Sequence, residues 1–170
     1  DFENKIASQL ISLEGEIRKI GFFFVEDESR MIGKVHQPLA FFNKLRSSEV
    51  IWIDDPLEVR IERIYKEYVE DPLKNYPSEF IFKRLLNAIE AISKKLGSEK
   101  SNQIKNLMID CQRHWETQRH EECRAISEKW IRDLLIVYYD PLYLNSLDRR
   151  QVKVAFKGAF HACLQFASSL

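Results

Sequence analysis

The sequence predicts an α/β fold in which a partial parallel sheet of about three strands carries a large helical insertion. Three observations predict it. Two short apolar runs, Phe22-Phe23-Phe24-Val25 and Val50-Ile51-Trp52-Ile53, each end in acids, as strands buried on both faces do. Residues 38–45 between them are long enough for a crossover helix, giving a right-handed strand–helix–strand unit. From 54 to 150 apolar residues recur at steps of three and four, with start and stop signals between segments.

Taken in order, residues 2–20 read as a helix. Phe2, Ile6, Leu10, Leu13, Ile17 and Ile20 form one face, and Gly21 is a stop. The strands at 22–25 and 50–53 follow. Asp55 then stands as a cap before Pro56 at a first helical position, and Leu57, Ile61, Ile64, Tyr65 and Tyr68 share a face. Residues 78–96 form a second helix through Phe80, Leu85, Ile89 and Ile92, ending at Gly97. Further helices are expected near 100–113 and 121–138. A short one at 142–149 should begin after a break at Pro141. The third strand is read at 152–156, before Gly158 and a terminal helix.

Composition narrows the class. The 170 residues carry 26 Lys+Arg and 26 Asp+Glu, with 45% apolar and 31% charged residues, the balance of a globular protein. Only 151–170 is one-sided, with Lys153 and Lys157 and no acid, so a basic surface would have to be assembled by folding. No apolar stretch approaches the ~20 residues that span a bilayer. Three cysteines, an odd number, fit a reducing cytosol. Asp rather than Met at position 1 suggests a piece of a longer chain.

Several constellations could carry chemistry. Ligands of open parallel sheets bind beyond the strands' carboxyl ends, where Glu26, Asp27 and Glu28, and Asp54 and Asp55, stand. Such an acid can hold a Mg²⁺-bound water beside a phosphate. For Asp55 the helix cap is the favoured reading, while Asp27 and Glu28 are open between phosphate site and solvated turn. Ser29 and Arg30 add a hydroxyl and a bidentate fork, with a salt bridge from Arg30 to Asp27 or Glu28 as the alternative. Arg60 and Arg63, one turn apart, could clamp a diphosphate or line a solvated face. Cys111, His114, His120 and Cys123 suggest zinc. On one continuous helix, however, positions 111 and 120 face opposite ways, and no Gly or Pro breaks 115–119, so no metal site is assigned. His36 and His161 have no partners in sequence. The chain has no Gly-x₄-Gly-Lys-Ser/Thr loop, no Gly-x-Gly-x₂-Gly and no serine nucleophile elbow.

At these residues a resemblance enters. Phe2-Glu3-Asn4-Lys5, Glu26-Asp27-Glu28-Ser29-Arg30-x-Ile32-Gly33, Pro38, Asp55-Pro56-x-Glu58-x-Arg60-x₂-Arg63 and Tyr65-x₂-Tyr68 resemble the P-loop domain of the tRNA 2-selenouridine synthase family. So do Ala91-Ile92-x₂-Lys94-Lys95-Leu96-Gly97, Leu134-Leu135-x₂-Tyr138-Tyr139-Asp140-Pro141-x-Tyr143 and Phe156-x-Gly158, in the same order. The likeness is thinnest over 100–130.

The resemblance implies a P-loop NTPase type of sheet lacking its first strand and phosphate loop, with the helical insertion at about 54–150. It implies a cytoplasmic transferase, selenophosphate-dependent, converting wobble 2-thiouridine of tRNA to 2-selenouridine through an S-geranyl intermediate made from geranyl diphosphate. The nucleophilic cysteine would lie upstream, in a rhodanese domain, so no catalytic residue is expected in this chain and the chain alone should be inactive. Selenophosphate and geranyl diphosphate are substrates; no cofactor is certain, and Mg²⁺ is compatible with the phosphate chemistry. Asp27, Glu28, Ser29, Arg30, Arg60 and Arg63 become phosphate or substrate candidates. Tyr138, Tyr139 and Tyr143 become candidates for a tRNA base or a prenyl pocket, against a plain packing role. The partners implied are tRNA and the upstream parts of the same protein, with no membrane. A sheet without its phosphate-loop strand should expose apolar edges and self-associate. Two other readings compete: a kinase-like nucleotide-binding domain with Arg60 and Arg63 over ATP, and a non-catalytic helical tRNA platform.

Overall fold

The computed structural model describes residues 2–170. Asp1 and the side chains of Phe2, Glu3, Glu16, Ile17 and Ile20 lie outside the described residues, so the expected apolar face of the first helix falls partly beyond them. The chain divides into two compact units, Asp1–Trp52 with Val152–Lys157, and Ile53–Gln151 with Gly158–Leu170.

In the first unit the expected opening helix is two, α1 (Phe2–Ser12) and α2 (Glu14–Ile20). Ser12 folds its hydroxyl back onto the Gln9 carbonyl at 2.7 Å, the local competition that shortens helices at serine. The strand expected at 22–25 does not form: residues 22–29 are irregular. A strand exists only by pairing, and the backbone bond here is local, Glu28 N–H to the Glu26 carbonyl. Phe22 and Phe24 meet edge to face at 5.4 Å instead, and Phe23, Phe24 and Val25 are exposed. A two-residue hairpin follows, β1 (Met31–Ile32) antiparallel to β2 (Val35–His36), turning through Gly33 at φ +60°. Then come α3 (Leu39–Arg46) and β3 (Val50–Ile53).

Strand β3 pairs with β4 (Val154–Gly158). Val50 N–H donates to Lys153 O, and Asp54 N–H to Gly158 O, so the numbers rise together and the strands are parallel. Among the described residues the parallel sheet therefore has two strands, not about three. Lys157 covers the Trp52 ring at 4.3 Å.

The second unit is helical. It contains α4 (Leu57–Tyr65), a π turn (Lys66–Glu70) and α5 (Asp71–Asn75) without interruption. Helices α6 (Ser78–Leu96) and α7 (Ser98–Glu116) are separated by Gly97 at φ +86°. Next are α8 (His120–Leu134), a second π turn (Leu135–Tyr139) and α9 (Asp140–Arg150), again continuous, and after β4 the terminal α10 (Phe160–Ser168). Pro141 is thus no breaker. Both π turns precede an Asp-Pro, and each Asp donates its N–H five residues back, Asp71 to Lys66 and Asp140 to Leu135. A proline ring clashes with the carbonyl four residues back and offers it no hydrogen. The widened turn absorbs both problems, so the helix passes through.

The core belongs to this unit. Ile61, Tyr65, Val69 and Leu73 meet Ile81, Phe82, Leu85 and Ile89 of α6, Ile104, Met108 and Cys111 of α7, and Cys123, Trp130, Ile131 and Leu134 of α8. Where no Gly or Pro was seen, α7 and α8 nevertheless separate: Gln118 takes φ +61°, and Arg119 N–H closes onto His114 O at 2.8 Å. A non-glycine residue pays ~1–2 kcal/mol for that conformation, against the buried faces of two long helices. The reversal brings Cys111 and Cys123 into a disulfide with Cα atoms 4.4 Å apart, a pairing that runs against the reading of the three cysteines as those of a reducing cytosol. Both sulfurs of the would-be zinc motif are thereby consumed, and His120 packs at a tilt against Trp115, centroids 4.1 Å apart.

Candidate substrate-binding site

Asp55 stands between β3 and α4 in sequence, and α4, beginning at Leu57, carries Arg60 and Arg63. Asp55 does not cap α4, whose N-terminus has no side-chain cap. It accepts instead from the Phe160 N–H at the start of α10, at 2.8 Å, and from Arg63 Nη2 at 2.6 Å. The favoured reading of Asp55 as a cap was right in kind and wrong in helix. The reason is geometric: β3 and β4 are parallel neighbours, so the helices after them start side by side. The Phe160 amide first, and the Arg63 guanidinium next, hold the Asp55 carboxyl below its ordinary value of 3.8. Arg63 also lies over the Phe160 ring at 5.6 Å.

Arg60 reaches Asp140 at the start of α9. Both its terminal nitrogens engage the carboxylate, Nη1 to Oδ2 at 3.2 Å and Nη2 to Oδ1. This fork-on-fork pair is half-buried, with side chains 30% and 31% exposed. It also joins two candidate sets that are 80 positions apart in sequence. Asp140 follows the second π turn, which carries Tyr138 and Tyr139, and Tyr143 lies one turn on in α9. Tyr138 and Tyr139 meet edge to face at 5.0 Å, and Tyr138 packs against the core. Burial pushes the Tyr139 phenol above its ordinary value, with smaller contributions from Tyr138, Tyr143 and Tyr68. Tyr68, in the first π turn, and Tyr143 are exposed.

The first-unit candidates form a separate local structure. Asp27 accepts from Arg46 Nη1 at 3.1 Å. Ser29 N–H donates to Glu28 Oε2 at 3.2 Å, and its hydroxyl to the Met31 carbonyl at 2.6 Å. Arg30 has an exposed side chain, with Asp27 engaged by Arg46 rather than by Arg30. The segment is pinned by Gln37, which is buried: its Nε2 donates to Ser29 O at 2.9 Å and its N–H to Arg30 O at 2.8 Å.

Sequence reasoning did not assign site roles to Asp140, Tyr68, Phe160 or Gln37. Tyr68 had a signal, since Tyr68-x₂-Asp71-Pro72 and Tyr138-Tyr139-Asp140-Pro141 share their order around the proline. The Asp140–Arg60 and Asp55–Phe160 contacts have none, because pairing across 80 and 105 positions is written only in the fold. Among the described residues, no three His, Cys, Asp or Glu side chains are grouped to hold a metal ion. No helix among them is long and apolar enough to cross a membrane.

Comparisons with known proteins bear on this arrangement. The family model of the tRNA 2-selenouridine synthase AAA domain matches residues 1–170. The tRNA 2-selenouridine synthase of Bdellovibrio bacteriovorus is 35% identical over 187 residues, covering 100% of this chain and 48% of that protein. That of Nitrosomonas europaea is 34% identical, covering 98% and 48%, and that of Shewanella frigidimarina is 30% identical, covering 98% and 46%. The chain spans about half the length of the curated relatives it matches. No solved structure matches it. With its whole length matched by the family model, the chain belongs to the tRNA 2-selenouridine synthase AAA domain family.

Proposed function

We propose that this chain is the substrate-holding part of a cytoplasmic tRNA-modifying transferase that converts 2-thiouridine to 2-selenouridine. In this reading the domain is of the P-loop type, with its phosphate loop and a rhodanese domain carrying the nucleophilic cysteine in other parts of the protein. The observation that carries the proposal is the Arg60–Asp140 fork beside Arg63–Asp55, with Asp140 directly following Tyr138 and Tyr139 of the second π turn. A carboxylate and a phosphate present the same planar pair of acceptors to a guanidinium. An Arg pair already oriented by carboxylates is therefore preorganised for a diphosphate that shares or displaces them.

The chemistry that such a site serves is geranyl transfer. The 2-thio sulfur of the uridine bonds to C1 of the geranyl group as the C1–O bond breaks, and the electron pair leaves on diphosphate. Charge grows on the leaving group through the transition state, and Arg60 and Arg63 offset it. Tyr68, Tyr139 and Tyr143 offer faces to the prenyl chain or to the base. Selenium of selenophosphate then bonds to C2 of the base as the C2–S bond breaks and geranylthiol leaves, and water cleaves the Se–P bond to release phosphate. Asp27, Glu28, Ser29 and Arg30 are assigned to substrate phosphate on family resemblance.

Titration of the full-length protein with geranyl diphosphate and with ATP tests the reading. Geranyl diphosphate should bind more tightly, and Arg60→Met should weaken it ~10-fold or more, the loss of a charge-assisted pair. A strong preference for ATP would assign the site to a kinase-like nucleotide domain instead.

A further inference from the structure

We propose that the exposed face of α6 is a docking surface for the phosphate backbone of RNA. The proposal rests on the reading above that RNA is the substrate, and adds where it docks. Helix α6 buries Ile81, Phe82, Leu85, Ile89 and Leu96. Its opposite face, an arc of about 140° at 100° per residue, carries Lys83, Arg84, Lys94 and Lys95, all exposed. None of these four forms an ion pair among the described residues. The flanking acid Glu90 turns aside to Lys105 of α7 at 2.5 Å. Because the chain sums to zero, these four cations leave the remainder at −4 (0 − 4). The positive charge here is thus a local asymmetry that whole-chain arithmetic conceals.

Three further features fit a polyanion. The two basic pairs are eleven residues apart, about 16 Å along the axis, and so can grip phosphates at two places. Between them the face is low, made by Asn87, Ala88 and Ala91, which lets a backbone lie close. At the N-terminal end Tyr76 and Phe80 form a ring pair, centroids 5.9 Å apart, with the residues 58% and 54% exposed. A merely solvated face explains lysines but not two large aromatic rings in water. Beside cations, exposed rings stack on unpaired bases.

The test is fluorescence anisotropy of a labelled tRNA transcript with the full-length protein, across 50 to 200 mM salt. Four phosphate contacts contribute a slope of about −2.8 to −3.6 to log K against log salt, at ~0.7–0.9 each. The variant K83Q/R84Q/K94Q/K95Q should lose about that much slope and bind at least ~10-fold more weakly at low salt. Phe80→Ala should weaken binding ~5-fold or more at every salt concentration with the slope unchanged. If the quadruple variant loses helicity, K94Q/K95Q alone should lower the slope by about 1.5. Wild-type binding with unaltered slope in these variants overturns the α6 surface and leaves the substrate reading standing. No binding of tRNA by the wild type at low salt overturns both. Displacement of tRNA by polyglutamate at equal charge would give the face to an acidic protein and also overturn the proposal.

Discussion

Asp55 offers the sharpest test of the described geometry. Its side chain is 5% exposed and serves two partners, the first amide of α10 and Arg63. Asp55→Ala leaves the Phe160 N–H without its acceptor, a lost helix cap worth ~0.5–2 kcal/mol. It also removes the bond to Arg63, whose side chain is 49% exposed, so solvent screening holds that loss to ~0.5–1 kcal/mol. The sum is about 1–3 kcal/mol at pH 7. Asp55→Asn keeps an amide oxygen for Phe160 and gives up the charge, so its cost should be about half as large. The sign with pH follows from the depressed carboxyl. Above the ordinary value of 3.8 the stabilisation is fully present, and it is lost as pH falls through the lower, folded value. The difference between wild type and Asp55→Asn should therefore shrink on acidification below about pH 4. Urea unfolding followed by fluorescence, with Trp130 buried as a reporter, measures both quantities. An Asp55→Ala variant within ~0.5 kcal/mol of wild type at pH 7, or a difference that holds constant into acid, would refute the reasoning.

Other expectations can be checked with the same preparations. Phe82→Ala, at a side chain fully buried between helices, should cost ~3–5 kcal/mol in the same urea experiment. Thiol titration of this chain, unfolded without reductant, should count one thiol, Cys163, and two more after reduction. Reduction should lower stability by ~2–3 kcal/mol, the loop-closure contribution of a short cross-link; an unchanged urea midpoint would count against it.

The helices of the second unit were legible because their faces repeat: the bounds 78–96 agree to the residue, and Gly97 marks the end by a φ that favours glycine, but Phe80 and Tyr68, read on the apolar faces, are exposed. The failures have physical causes. At 22–25 four apolar residues carry a strand's composition, but composition supplies no partner, and the backbone there remains unladdered. Asp-Pro-Leu occurs at 55–57, 71–73 and 140–142. It opens a helix after a strand in the first case and is threaded through a continuous helix in the other two. The tripeptide is the same, and packing against the core decides. Of the site, Arg60, Arg63 and the tyrosines were visible as residue types at helical spacing. The carboxylates that orient the two arginines were not, because each contact is a product of tertiary structure.

The π turns have a consequence for how this chain tolerates change. An α-helix advances 40° too far at each step of four, so a stripe such as Ile61, Tyr65, Val69, Leu73 ought to wind off its face. The same spacing recurs at Cys123, Ser127, Ile131 and Leu135, all buried. In the first stretch the wider turn at Lys66–Glu70 takes back part of that drift, as a spare link taken up in a chain does; the second stretch ends where its π turn begins. Deleting one residue from Leu135–Tyr139 would restore ordinary winding and leave what lies beyond on nearly the same heading, because the five residues of the wide turn sweep about as much as four of an α-helix. Asp140 would keep its heading toward Arg60, but the Pro141 ring would meet the carbonyl four residues back without the room the wide turn gives it. The extra residue at each π turn is therefore tied to the proline after it, and its deletion should be tolerated only where that proline is replaced as well.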